Sequence, residues 1–153
     1  MKKLLGTYGL YLAWLVAIAA TAGSLYFSEV RAFVPCSLCW YQRILMYPLV
    51  IVLGIASFRQ DKHIIPYVLP LSIFGGLIAA WHILEENLPA LELPMCQVGV
   101  PCSVKYVNYF GFITIPTMSL TAFTLITVFL VAMLRNQKKA YSQQMPGEQK
   151  TVV

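Results

Sequence analysis

Two cysteines frame the tetrapeptide Cys36-Ser37-Leu38-Cys39, where a short polar loop meets a long apolar run, and Arg43 follows Cys39 at i+4. At the start of a helix this spacing brings two sulfurs into bonding range, and the positive end of the helix favours a thiolate. On a helix the guanidinium of Arg43 shares the face of Cys39, where it can stabilise negative charge or reach an acceptor oxygen on a bound ligand. The other two cysteines, Cys96 and Cys102, enclose Gln97-Val98-Gly99-Val100-Pro101. Gly99 supplies backbone freedom and Pro101 fixes a bend, so a small closed ring is feasible. Closing so short a ring stabilises a chain by only about 2 kcal/mol, a modest return for a staple. A pair in an exposed, mobile loop suits attack by a partner's thiolate. Four cysteines in two such pairs can exchange electrons.

Static disulfides that brace a small chain are the plain alternative. A four-thiolate zinc site is a further one, although an oxidising location and the wide second spacing work against it. Thiol exchange passes electrons on without disposing of them, so a pair at a membrane boundary needs an acceptor, and the lipid phase carries quinone. A quinone carbonyl gains negative character as it is attacked or reduced, and Arg43 beside it lowers the energy of that state. His82 is placed to donate a hydrogen bond to the same ring. Their ordinary roles are snorkelling for Arg43 and an interfacial position for His82.

These residues need elements to hold them, and the composition says which kind. With 59% hydrophobic and 11% charged residues in 153, the chain is too apolar for a wetted globule and reads as one membrane domain. Four stretches exceed the roughly 18 apolar residues that cross about 30 Å of hydrocarbon. They are Leu4 to Phe27, Trp40 to Phe58, Ile64 to Leu84 and Phe112 to Leu134. Backbone groups in lipid must be satisfied within the segment, so each is a helix. Residues 1–134 thus form an all-α membrane protein, an antiparallel four-transmembrane-helix bundle, followed by a polar tail at 135–153 that ends in a disordered Met145-Pro146-Gly147-Glu148.

The net charge of +5 does not indicate nucleic acid, because the basic residues sit at the ends of apolar runs rather than in one patch. Lys2, Lys3, Arg59, Lys62, Arg135, Lys138, Lys139 and Lys150 fall on one side of the bundle, against Arg31, Arg43 and Lys105 on or near the other. Both termini are therefore cytoplasmic, and loops 28–35 and 85–111, which carry the cysteines, face outward where disulfides persist. Lys2-Lys3, an apolar core and Ala20-Thr21-Ala22 resemble a signal peptide, but the run continues through Phe27 and is long enough to span.

Pro35 suits the opening of the second helix, which puts the Cys36–Cys39 motif on or just before its first turn. Arg59 to His63 makes a tight turn into the third helix. The loop at 85–111 exceeds the usual limit of about 12 to 15 residues for a structureless connection, which marks it as functional. Leu88, Leu91 and Val98 let parts of it lie on the bilayer, with Tyr106, Tyr109 and Phe110 at headgroup depth. Pro116 kinks or starts the last helix. Glu85 and Glu86 read as a solvated helix end, Gly75-Gly76 as a site of close helix approach, and Trp40, Tyr41 and Tyr47 as an aromatic belt or part of a quinone pocket.

The string Cys36-Ser37-Leu38-Cys39-Trp40-Tyr41-Gln42-Arg43 resembles the signature of the DsbB family of membrane disulfide-generating thiol:quinone oxidoreductases. Pro116-Thr117-Met118-Ser119-Leu120-Thr121-Ala122-Phe123 is similar to that family's last helix, and the short Cys96–Cys102 ring resembles its BdbC-like branch of Gram-positive bacteria. The resemblance implies a relay. A reduced extracytoplasmic thioredoxin-fold thiol oxidase, DsbA/BdbD-like, attacks the loop disulfide at Cys96, and Cys102 then reduces Cys36–Cys39. Cys39 faces a menaquinone or ubiquinone of the membrane pool, and Arg43 supports the charged intermediate. Such a chain is a multi-pass enzyme of the bacterial cytoplasmic membrane supporting disulfide bond formation. Alternatives are a quinone or epoxide reductase resembling the vitamin K reductase family, or a structural four-span protein with static external disulfides.

Overall fold

Long runs rich in Leu, Ile, Val, Phe and Ala, whose few charges lie near their ends, become four helices in the computed structural model, which describes residues 2–88, 93–96, 100–102 and 114–144. We label them α1 (Lys2–Leu25), α2 (Ser37–Arg59), α3 (Ile65–Asn87) and α4 (Ile115–Gln144). Among the described residues there is no strand, and all four helices contain stretches long and apolar enough to cross a membrane. In the bundle α1 and α3 each pack on both α2 and α4. The inner seam is apolar, with Leu10, Leu49, Leu53, Phe123, Ile126 and Leu130 at its centre. The outer surface is apolar too: Ile51 is 65% exposed, Phe74 61% and Leu77 60%, as a lipid-facing surface requires.

The helix ends explain where the expected spans shift. The run through Phe27 stays helical, but beyond Leu25 it widens into a turn of π-helix at Tyr26–Val30. Cys36 is the N-cap of α2, with extended backbone at ψ 172°, so Pro35 precedes the helix rather than opening it. Its carbonyl accepts the N–H of Trp40 at 3.1 Å, the first bond of the helix. At the other end Gln60 adopts a left-handed conformation (φ 53°), and Asp61 N–H returns to Ala56 O at 3.0 Å. This closes α2 abruptly. Asp61 Oδ1 then accepts the N–H of His63 at 2.9 Å, giving the tight turn into α3.

Thr114 starts α4, its N–H donating to Thr117 Oγ1 at 2.8 Å, with Pro116 in the first turn where a missing N–H costs nothing. The helix does not stop at Leu134 but continues to Gln144, so the first part of the expected polar tail is helical. Met145-Pro146-Gly147-Glu148 lies outside the described residues, as do Leu91, Val98, Tyr106, Tyr109 and Phe110 of the long loop.

Two features tie α3 to α4. A Cβ at Gly75 would collide with the Phe123 ring, so glycine is what allows the helices to approach here. One turn away, Ser72 Oγ donates to Phe123 O at 3.1 Å and pairs with Thr127 Oγ1 at 2.9 Å. Membrane helices gain about 0.6 kcal/mol from such a bond on average.

Candidate functional site

The N-terminus of α2, the C-terminal turns of α3, the start of α4 and the segments around Cys96 and Cys102 meet at one end of the bundle. Because Cys36 caps α2 with its backbone and makes no side-chain cap bond, its sulfur is free to turn inward. Cys39 Sγ lies 3.1 Å from it, and the pair is a dithiol here. Cys96 and Cys102 are disulfide-bonded, with Cα atoms 5.3 Å apart. Leu38, Ile78 and Leu93 pack around these sulfurs. The loop disulfide is not exposed as the sequence suggested: Cys96 is 0% and Cys102 1% exposed. The short helical turn Pro94–Cys96 packs against α2 and places Cys96 inside.

His82, buried on α3, joins the two pairs. Its Nε2 lies 3.2 Å from Cys102 O and 3.6 Å from Cys36 Sγ, while Nδ1 lies 3.2 Å from Gln42 Nε2. With the Gln42 amide donating to Nδ1, the ring proton sits on Nε2, shared between the Cys102 carbonyl and the Cys36 sulfur. Cys36 Sγ, Cys102 Sγ and a ring nitrogen of His82 all lie within 4.8 Å of one another. The two sulfur pairs are thus within a small side-chain movement of covalent exchange.

Cys36 stands just outside the membrane-spanning part of α2. Its thiol is lowered from an ordinary 9.0 to about 4, chiefly by the hydrogen bond from Cys39; burial opposes the shift and His82 assists it. A thiolate facing a disulfide is the reactive arrangement for thiol exchange.

Behind Cys39 opens a cavity of about 400 Å³ between α1, α2 and α4. Its walls are mostly apolar, including Ala20, Met46, Tyr47 and Ala122, with Cys36, Cys39, Gln42, Arg43, His82 and Glu86 among its reactive or polar members. Arg43 Nη2 donates to Ser24 O at 3.1 Å, and its guanidinium lies 5.7 Å from the Trp40 ring centroid. Most of its donors are therefore left for other acceptors in the cavity. Trp40 and Tyr41 point outward, so Tyr47 is the one of the three candidate aromatics that lines the space. Ligand atoms of Cys36, His82 and Cys102, and of Glu85, Cys96 and Cys102, gather at metal-binding distances, but the disulfide withdraws both loop sulfurs from ligation.

The family model described as Disulfide bond formation protein DsbB matches residues 7–133. The chain belongs to the DsbB family. It is 54% identical over 130 residues to Disulfide bond formation protein C of Bacillus subtilis (strain 168), covering 84% of this chain and 94% of that one. It is 44% identical over 131 residues to Probable disulfide formation protein C 1 of Bacillus anthracis, covering 85% and 94% of the two. With Probable disulfide formation protein C of Halalkalibacterium halodurans the identity is 43% over 127 residues, covering 82% and 92%. No solved structure matches the chain. Membership of the DsbB family gives it an oxidoreductase role in disulfide formation.

Three polar residues of this DsbB-family site were missed or misread in the sequence. Glu85 and Glu86 are not a solvated helix end: they are 0% and 8% exposed, because Leu93 and Cys96 come against Glu85 and Thr114 comes against Glu86. Glu86 Oε2 accepts from Thr114 Oγ1 at 2.8 Å, which ties α3 to the start of α4. Gln42 is buried and orients His82. The available signal was spacing, since Glu85 and Glu86 stand at i+3 and i+4 from His82 and so share its face.

Proposed function

We propose that this chain is a membrane thiol:quinone oxidoreductase that reoxidises an extracytoplasmic thioredoxin-fold dithiol oxidase, passing electrons from Cys96/Cys102 to Cys36/Cys39 and on to quinone. The observation that carries this reading is the juxtaposition of Cys36 and Cys102 within 4.8 Å, with an apolar cavity on the far side of the same dithiol. Electrons entering at the loop pair have a short path to Cys36, and Cys39 faces the space beyond.

The cavity suits a flat apolar ring with polar oxygens. Ala20, Met46 and Tyr47 provide the apolar walls, and Arg43 provides a fixed cation near Cys39. A bound quinone supplies the two-electron acceptor. Cys39 is the sulfur that gives up the pair, Arg43 holds negative charge where it develops, and His82 keeps Cys36 and Cys102 in register through one N–H. His82 also borders the cavity, where it is a second candidate contact to the ring. Because Cys96 is buried, exchange with the partner oxidase requires the segment around it to lift.

The cysteine end faces outward and both termini face the cytoplasm of a bacterial cell, in keeping with the excess of Lys and Arg at the opposite end. Alkylation trapping in membranes tests the function. Cys36 and Cys39 are expected to become reduced when quinone is withdrawn and oxidised when it is restored, and a reduced thioredoxin-fold dithiol is expected to be oxidised in step. A pair that keeps one redox state throughout refutes the reading. Quinone reduction with a small dithiol, but with no thioredoxin-like partner, favours a vitamin K reductase-like activity instead.

A further inference from the structure

Resealing the loop disulfide raises a problem of proton transfer. In the reduced loop Cys96 carries a proton, and the place where it must lose that proton is closed, with Cys96 0% exposed. A buried thiol cannot hand its proton to bulk water, and the charge left behind is costly in a dry site. A protein group must accept it.

Glu85 is built into that position. It is itself 0% exposed, and its Oε2 lies 3.3 Å from Cys96 Sγ. Oε1 accepts the Trp81 Nε1–H at 2.7 Å and the Leu93 N–H at 3.2 Å. Those two donors fix the carboxyl group and leave the other oxygen turned to sulfur. One donor comes from α3 and the other from the segment leading to Cys96, so the carboxyl is aligned with the same piece of chain that carries the thiol. The titratable groups nearby are Cys96 and Cys102, then Cys36 and His82 across the disulfide, while Glu86 turns to Thr114.

We propose that Glu85 is the general base for Cys96 when the loop disulfide re-forms, a step that rests on the function above. In the intermediate Cys102 is joined to Cys36 and Cys96 is a thiol. Cys96 gives its proton to Glu85 Oε2 and its sulfur attacks Cys102 Sγ. The Cys96–Cys102 bond forms, the Cys36–Cys102 bond breaks, and the electron pair leaves on Cys36 as thiolate. Cys96 is oxidised and Cys36 reduced, with no outside reagent. In the reverse direction the Glu85 carboxyl returns the proton to Cys96 as the latter leaves.

The test is a single turnover of the whole protein in detergent. Fully reduced enzyme is mixed with a short-chain menaquinone or ubiquinone and quenched in acid at intervals. Alkylation and mass spectrometry then count the Cys36–Cys39 and Cys96–Cys102 bonds separately. Wild type is expected to close the loop at a rate nearly flat across neutral pH. E85Q keeps an acceptor for Trp81 and Leu93 but cannot take the proton. It is expected to form Cys36–Cys39 yet close the loop about a hundredfold more slowly, with the deficit shrinking about tenfold per pH unit as hydroxide takes over. E85D, which keeps a carboxylate, is expected to retain the flat profile. Loop closure in E85Q at the wild-type rate and pH dependence overturns the proposal. So does a wild-type closure rate that climbs about tenfold per pH unit through neutrality, however the variants fold. Wild-type Cys36 and Cys39 that stay reduced in quinone would instead overturn the function on which the step rests.

Discussion

Replacing Cys39 with alanine removes the largest influence on Cys36 and should change how that sulfur titrates. With the neighbour in place Cys36 titrates at about 4 rather than 9.0, so near neutrality it is almost wholly thiolate. A thiol left at the ordinary value would be about 1% ionised there. That hundredfold gain does not make Cys36 a faster nucleophile, because a thiolate so much less basic loses about 100- to 300-fold in intrinsic reactivity. The two effects nearly cancel in attack. What survives is leaving-group ability, since a weakly basic sulfur is readily expelled from a disulfide. A lowered Cys36 thiol therefore favours its release in the proposed attack of Cys96 on Cys102.

The thiolate's far-ultraviolet absorbance, followed in reduced protein in detergent, measures this directly. A titration step absent from Cys36→Ser is assigned to Cys36. It is expected at about 4 in wild type and shifted up toward 9.0 in Cys39→Ala. Because the folded value is lowered, the stabilisation that accompanies the thiolate is present above the unfolded value and is lost as pH falls through about 4. A wild-type step in the ordinary thiol range, or one that Cys39→Ala leaves in place, would refute the reasoning.

Arg43→Ala is expected to slow quinone-linked turnover by about 10- to 100-fold while thiol exchange between loop and partner changes little; equal loss of both half-reactions counts against the role given to the guanidinium. His82→Phe removes the N–H shared by Cys36 and Cys102, and trapped Cys36–Cys102 disulfide is expected to fall about tenfold relative to wild type in the same quench experiment. Gly75→Ala drives a methyl group into the Phe123 ring, and thermal unfolding in detergent should report a loss of about 1 to 3 kcal/mol. Ser72→Ala, measured the same way, should cost about 0.5 to 1 kcal/mol through the bonds to Phe123 and Thr127.

The four spans were legible because hydrocarbon thickness imposes a length on any crossing helix, and the cysteine motif was legible because its spacing is local. Pro116 in the first turn of α4 follows from backbone chemistry written in the sequence itself, whereas α2 starts at Ser37, capped by Cys36, rather than at Pro35. What escaped depends on a chain segment returning from afar. Glu85 and Glu86 end an apolar run in a pattern that water ordinarily solvates, and nothing local says that Leu93 and Cys96 will fold onto Glu85 or Thr114 onto Glu86. Gln42 looks like an ordinary polar residue near an interface until His82 is brought against it from α3. The burial of the loop disulfide escaped for the same reason, since a short cysteine ring holding Gly99 and Pro101 resembles an open surface turn. The extension of α4 to Gln144 shows that polar composition beyond a span does not stop a helix when no proline or glycine intervenes.

The last turn of α1, before the π-helical stretch at Tyr26–Val30, also decides where Arg43 sits. Just before that stretch the Ser24 carbonyl accepts from Arg43 at 3.1 Å, and that oxygen holds the guanidinium on the cavity wall. A side chain that would otherwise drift toward the headgroups is moored to the neighbouring helix instead. Its positive charge is then stationed in advance, so little reorganisation remains when an electron-rich oxygen arrives.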